Sequence, residues 1–164
     1  PDDAEFISYG ADAGYTNDPT TLVSVFRKGY DLYIKEHLYQ TQMTTIDIHK
    51  KWKEVGIERQ TIYFDSDEHR LIEELRRMGW NVRPSLKGAD SVNAGIDLLN
   101  RFKIHILKDS HNAIQEFRNY KWQEDRSGKM INKPIDKNNH LIDAIRYANY
   151  SVISKPNFGK YAIN

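Results

Sequence analysis

The sequence predicts an α/β domain: a mixed sheet, made of a three-strand antiparallel meander continued by parallel strands, with helices on both faces. Three observations predict it. Three strand-like runs come first, separated by turn-sized gaps. Strand and helix patterns then alternate. The last strong pattern is an amphipathic helix.

The opening strands are Phe6–Gly10, Thr21–Gly29 and Leu32–Tyr39, parted by the Gly/Asn/Asp/Pro loop Gly14–Pro19 and the turn Gly29-Tyr30-Asp31. Helical period begins at Thr44–Gly56. Thr44 and Asp47 stand at capping-box spacing, Ile48, Trp52 and Val55 fall on one face, and Gly56 ends the run. Gln60–Phe64 reads as a short strand. The following helix is expected to be capped by Ser66, with Asp67 and Glu68 in its first turn, Leu71, Ile72, Leu75 and Met78 as its apolar stripe, and Gly79 as its stop. Asn81–Leu86 is a strand, Val92–Phe102 a helix capped by Asp90 or Ser91, Lys103–Leu107 a strand and Asn112–Trp122 a helix. The polar stretch Gln123–Lys137 has Ser127-Gly128 at its centre, so Trp122–Asp125 and Lys129–Asn132 are expected to pair as a hairpin insertion. His140–Val152 is the last helix, with Leu141, Ile145, Ala148 and Val152 facing the core; the tail from Ser154 reads as loose. Such a strand plan is that of the ribonuclease-H-like fold, one of several α/β arrangements the pattern permits.

The 164 residues, at 39% hydrophobic and 29% charged, form a single domain spanning 1–164 with enough chain to bury its own core. There is no cysteine, which excludes disulfides and thiolate metal sites. No apolar run approaches the ~20 residues that span a bilayer, so no membrane partner is expected. Because the chain opens on Pro1, a fragment of a longer protein is expected. Charge is distributed unevenly: residues 1–49 hold eight acids against three Lys/Arg, and residues 50–164 hold 15 acids against 21 Lys/Arg. An acidic cation site beside a phosphate-binding surface would produce that asymmetry, as would ordinary solvated charge.

Three acids stand out by position. Asp12 ends the first strand among small residues, in Gly10-Ala11-Asp12-Ala13-Gly14, and Asp65 ends the fourth strand at a switch from strand to helix. Ligands of α/β sheets bind at the carboxyl ends of strands. Asp143 lies on the last helix, with His140 one turn before it, both beside the apolar stripe. Oxygen donors of this kind suit Mg²⁺ or Mn²⁺, and two such ions about 3.5–4 Å apart can hydrolyse a phosphodiester. Each residue also has a plainer reading: Asp65 as a helix cap, Asp12 as a turn residue, His140 as a surface imidazole.

Several blocks together resemble the nuclease domain of tailed-phage large terminase subunits. They are Asp65-Ser66, Leu71–Gly79, Lys87–Ile96, Glu116–Trp122 and, most distinctively, Asn139-His140-Leu141-Ile142-Asp143-Ala144-Ile145-Arg146-Tyr147. The resemblance implies a ribonuclease-H-like fold and an endonuclease that cuts concatemeric viral double-stranded DNA during packaging, using Mg²⁺ or Mn²⁺, with two ions expected. It maps Asp12, Asp65 and Asp143 onto the family's metal-binding acids and His140 onto a histidine found in some members beside the last acid, which is expected to be catalytic here. Asp67 stands where the family usually has a small residue, and is expected to compete with Asp65 or extend the site. The resemblance also implies an ATPase domain in the full-length protein, a portal and a small terminase subunit as partners, and the cytoplasm of an infected bacterial host. The chain has no Gly-x-x-x-x-Gly-Lys-Ser/Thr loop of its own. For phosphate contacts the sequence offers Lys87, Arg126, Lys129, Lys133 and Arg146, the hairpin carrying two of them. Two alternatives remain: an inactive docking module of the packaging motor, and a half-domain like those of actin and sugar kinases, whose phosphate loop Gly10–Asn17 resembles.

Overall fold

Runs rich in β-branched and aromatic residues build the middle of the sheet. In the computed structural model, which describes residues 1–57, 59–87, 90–135 and 138–154 (Asn132 by its backbone only), β1 (Glu5–Asp12), β2 (Thr20–Lys28) and β3 (Asp31–Gln40) form the antiparallel meander. On the other side of β1, β4 (Ile62–Phe64) and then β5 (Val82–Pro84) continue the sheet in parallel, while β6 (Lys103–Ile106) runs parallel to β3 at the opposite edge. The strand order is β5-β4-β1-β2-β3-β6. This is the predicted mixed sheet.

Among the described residues five helices cover it: α1 (Thr45–Val55), α2 (His69–Arg77), α3 (Ser91–Leu99), α4 (His111–Asn119) and α5 (His140–Ile153). The capping box that opens α1 is formed as predicted. Thr44 Oγ1 accepts from the Asp47 amide at 3.3 Å, and the Thr44 amide donates to Asp47 Oδ2 at 2.9 Å. Gly56 closes α1 at φ 79°, a left-handed conformation that costs glycine nothing. Two apolar cores follow from the strand alternation. One joins Leu22, Leu38, Ile62 and Phe64 to Ile48 and Trp52 of α1 and Ile72 and Leu75 of α2. The other joins Val23, Val25, Leu32 and Ile34 to Leu99 of α3, Ala113 of α4 and the inner face of α5.

α5 is more deeply buried than its predicted stripe. Ile142, Ala144, Tyr147 and Asn149 are buried as well as Leu141, Ile145 and Ala148, whereas Val152 is only half-buried. The helix lies across β1 so closely that a Cβ on Gly10 would stand 1.9 Å from the Ala144 carbonyl oxygen.

Some element ends differ from expectation. α2 begins at His69, capped by Glu68 without a side-chain bond, because the Asp67 amide turns back to Asp65 Oδ1 (3.0 Å) and consumes the residues expected to start the helix. Ser66 is therefore not its cap, and Met78 is 38% exposed just past its end. α4 stops at Asn119, since Trp122 opens a hairpin of β7 (Trp122–Glu124) and β8 (Met130–Pro134). The predicted hairpin is thus present, with Asp125 Oδ1 accepting from the Ser127 and Lys129 amides in its turn. The predicted loose tail falls on residues 155–164, outside the described residues, as do Gly88, Ala89, Asp136 and Lys137. No helix among the described residues is long and apolar enough to cross a membrane.

Substituting Gly10→Ala forces α5 away from β1. Urea unfolding is expected to show a loss of about 3 kcal/mol, the upper end of the ordinary cost of overpacking, whereas Gly29→Ala, in open space but at φ +60°, changes no packing and costs about 1 kcal/mol of left-handed backbone strain.

Candidate active site

The sheet brings Asp12 and Asp65 side by side. β1 and β4 are parallel neighbours with Ala11 opposite Phe64, so the next residue in each chain segment is an aspartate: Asp12 ends β1 and Asp65 follows β4 directly. α5, seated on Gly10 through Ala144, brings the neighbouring Asp143 and the preceding turn with His140 to the same end. Asp12 feels the charge of both other acids. Burial, reinforced by the negative charges of Asp143 and Asp65 and opposed by the His140 hydrogen bond, pushes the Asp12 carboxyl up to about 6.

Each carboxylate has partners of its own. His140 Nδ1 is 3.1 Å from Asp12 Oδ2, and its Nε2 is 3.5 Å from Asp18 Oδ1. That contact with Asp12 raises the imidazole above its usual range, against the effect of burial. Asp143 Oδ1 accepts from Arg146 Nη2 at 3.0 Å and Nε at 3.2 Å, and its Oδ2 accepts from Asn139 Nδ2 at 3.0 Å. Tyr147 donates its hydroxyl to Asp65 Oδ2 at 3.1 Å. Burial and the surrounding aspartates keep that phenol protonated, and so a donor. Lys87 Nζ stands 3.6 Å from Asp65 Oδ1 and also pairs with Asp67. Asp67 is thus an exposed partner of Lys87, while its amide closes the Asp65 turn. Among the described residues, no three His, Asp or Glu side chains are grouped closely enough to enclose a metal ion. The acids share one end of the sheet, but each is turned to its own partner.

The expected phosphate contacts separate into two kinds. Arg126, Lys129 and Lys133 are exposed on the hairpin, and Lys133 lines a cleft of about 420 Å³ shared with Ser91, Tyr120, Asn139 and Asp143. Lys87 is exposed but engaged with Asp67 and Asp65. Arg146 is 7% exposed, which corrects the expectation of a surface contact. Its side chain packs against Gly95 of α3, where a Cβ would stand 2.4 Å from Arg146 Cγ. Burial works against the guanidinium charge, but Asp143 outweighs it and holds the group firmly protonated. Arg146 is thus a brace for Asp143.

Sequence reasoning assigned no role to Tyr147, Asp18 or Glu116. The spacing Asp143-x-x-Arg146 was a readable signal for the brace, because residues three apart share a helix face. Tyr147 and Glu116 act across the fold and left no local signature.

The model of the terminase RNase H-like domain matches residues 12–149. The chain belongs to this family. It is 36% identical over 155 residues to the terminase large subunit of Bacillus phage SPP1, covering 87% of this chain and 35% of that protein's length. The crystal structure of the SPP1 large terminase nuclease domain with bound Mn superposes with a TM-score of 0.78 at 30% identity, covering 87% of this chain and 84% of that one. The large terminase nuclease of thermophilic phage G20c with bound magnesium shares the fold, with a TM-score of 0.65 at 16% identity over 90% of this chain and 82% of that one. Terminase membership replaces the actin-like and sugar-kinase-like alternative, and the ribonuclease-H-like class predicted from the strand plan holds.

In this terminase domain, Arg146→Met leaves Asp143 without its guanidinium in a setting where Asp143 is only 19% exposed. The expected loss in urea unfolding is about 3 kcal/mol, the low end for breaking a buried ion pair. Arg146→Lys should recover only part of it, because one ammonium cannot reproduce the paired Nε and Nη2 donors.

Proposed function

We propose that this domain is a metal-dependent endonuclease that cuts double-stranded viral DNA, in concatemeric form, during genome packaging. The observation that carries the reading is the placement of Asp12, Asp65 and Asp143 at one end of the sheet by adjacent parallel strands and by α5, in a chain similar to the SPP1 nuclease domain solved with bound Mn. The donor set fits a hard divalent cation. Three carboxylates supply oxygens, and Asp12 carries repulsion from its neighbours that a nearby cation would relieve. In this reading Asp12, Asp65 and Asp143 hold a pair of Mg²⁺ or Mn²⁺ ions. When bound, such ions activate water and neutralise charge on the phosphodiester.

The chain's own groups have distinct tasks. Asp12 is held in place by His140, which stands between Asp12 and Asp18 as the catalytic histidine and can hold or pass a proton at Nδ1 or Nε2. Arg146 fixes the rotamer of Asp143, and Tyr147 orients Asp65. Lys133, with Arg126 and Lys129 further along the hairpin, and Lys87 provide cationic contacts to the DNA backbone. These contacts carry no base readout, so cutting has little sequence preference. The chain spans 35% of the SPP1 large subunit, and the full-length protein is proposed to add an ATPase domain and to work with portal and small subunit in the host cytoplasm.

A supercoiled-plasmid assay with Mg²⁺ or Mn²⁺ tests the reading. Nicking should vanish with chelator and return with either ion. Asp12→Asn, Asp65→Asn and Asp143→Asn should each reduce it to background while circular dichroism stays unchanged; a variant that cuts at the wild-type rate removes that residue from the site.

The hairpin's part in DNA binding is tested by salt titration. Replacing Arg126, Lys129 and Lys133 with Gln should lower the slope of log affinity against log salt by about 0.9 for each phosphate no longer neutralised; an unchanged slope takes the hairpin out of the DNA interface.

A further inference from the structure

Glu116 lies on α4, outside the carboxylate group at the end of the sheet, and is 3% exposed. A buried carboxylate must be satisfied by donors. Its Oε2 accepts from two backbone amides in the first turn of α5, Leu141 at 2.8 Å and Ile142 at 3.1 Å. These are among the helix's free N-terminal donors, which α5 does not satisfy locally, since Asn139 makes no capping side-chain bond. The residues on either side of the clamped pair are His140 and Asp143. Thr21 Oγ1 of β2 adds a second tie to the same turn, donating to the His140 carbonyl at 3.3 Å.

α4 is itself fixed from the sheet. Glu36 of β3 accepts from the Ala113 amide at 3.0 Å and from Asn112 Nδ2 at 2.6 Å, and Ser110 Oγ accepts from the Glu36 amide at 3.0 Å. A chain of carboxylate-to-amide contacts therefore runs from β3 through α4 to the start of α5.

We propose that Glu116 is a positioning residue: its carboxylate clamps the first turn of α5 and sets where His140 and Asp143 stand relative to Asp12. The proposal rests on the reading of Asp12, Asp65 and Asp143 as metal ligands. Removing an outer group that orients metal ligands commonly costs 10–100-fold in metal affinity or activity.

The test compares wild type with Glu116→Ala, Glu116→Gln, Glu116→Asp and Asp47→Ala. The last breaks the capping box of α1 and serves as a control for cap loss away from the site. Readouts are backbone amide exchange at Leu141 and Ile142, Mn²⁺ affinity by electron paramagnetic resonance, and kcat and KM for plasmid nicking. Glu116→Ala should accelerate exchange at both amides about tenfold or more and weaken Mn²⁺ binding about 10–100-fold. It should lower kcat with KM for DNA little changed. Glu116→Gln, which keeps an acceptor oxygen, should restore most of each property. Glu116→Asp keeps the carboxyl group but draws its oxygens back from the amides. It should remain folded and bind Mn²⁺ more weakly, so the proposal stays testable if the alanine variant does not fold. Asp47→Ala should lower Tm and leave Mn²⁺ affinity intact. Wild-type Mn²⁺ affinity in a folded Glu116→Ala or Glu116→Asp variant, or equal effects of Glu116→Ala and Asp47→Ala on it, overturns the clamp alone. Failure of the wild-type domain to bind Mn²⁺ overturns the underlying metal reading and the clamp with it.

Discussion

The seating of α5 on β1 at Gly10 is the constraint on which the rest of the site depends. Glycine at that position lets a helix backbone touch a strand backbone, and no larger residue fits the gap left by the Ala144 carbonyl. Close approach has two consequences. It buries one side of α5 over the second core, supplying much of the apolar contact on that face. It also brings Asp143 and His140 within electrostatic reach of a strand end that carries Asp12, beside a parallel neighbour that ends in Asp65.

Placing three aspartates at one sheet end has a cost, and the fold offsets it locally. His140 stands on Asp12, Arg146 on Asp143, and Tyr147 with Lys87 on Asp65. Three of these four partners belong to α5 itself, so the element that introduces one charge also brings donors for all three. Arg146 requires a second glycine, Gly95 on α3, to make room for its side chain. Seating and neutralisation are therefore a single design. A shift of α5 would separate Asp143 from Asp12 and Asp65 and detach His140 and Tyr147 from those two together.

The sheet plan was legible because it is written in local patterns. The meander has turn residues between strand-forming runs, the α1 cap has Thr44 and Asp47 at the required spacing, and the hairpin has Asp125 before Ser127-Gly128. Legibility failed where a side chain bonded backbone in a way that spacing does not reveal. Asp65 drew the Asp67 amide into a turn and delayed α2, so Ser66 lost its expected role. Asp12, Asp65, Asp143 and His140 were readable as candidates from their places in elements. The partners were less so. Arg146 carries a charge that reads as surface from sequence, and only the packing of α3 on α5 shows that it is buried. Glu116 was visible only as one residue of a block resembling the terminase nucleases, because its amide partners lie 25 and 26 positions away.

The partners also bear on how the proposed cation site would assemble. No three ligands are grouped around a single point among the described residues, yet burial and the charges beside it push the Asp12 carboxyl up to about 6. Positive charge beside Asp12 would favour its ionised form, and the Lys87 ammonium, exposed at the end of a flexible stem, is the partner easiest to displace from Asp65. Arg146 is different: a buried guanidinium pinned between Gly95 and Asp143 cannot leave without unpacking α3 from α5. In the proposed reading, Asp143 would help hold a cation while its Oδ1 stays on Arg146. In that reading the adjustment falls on Lys87, the exposed partner of Asp65, because Asn139 and Arg146 beside Asp143 are buried and the helix that carries Asp143 stays where Gly10 and Gly95 allow it to sit.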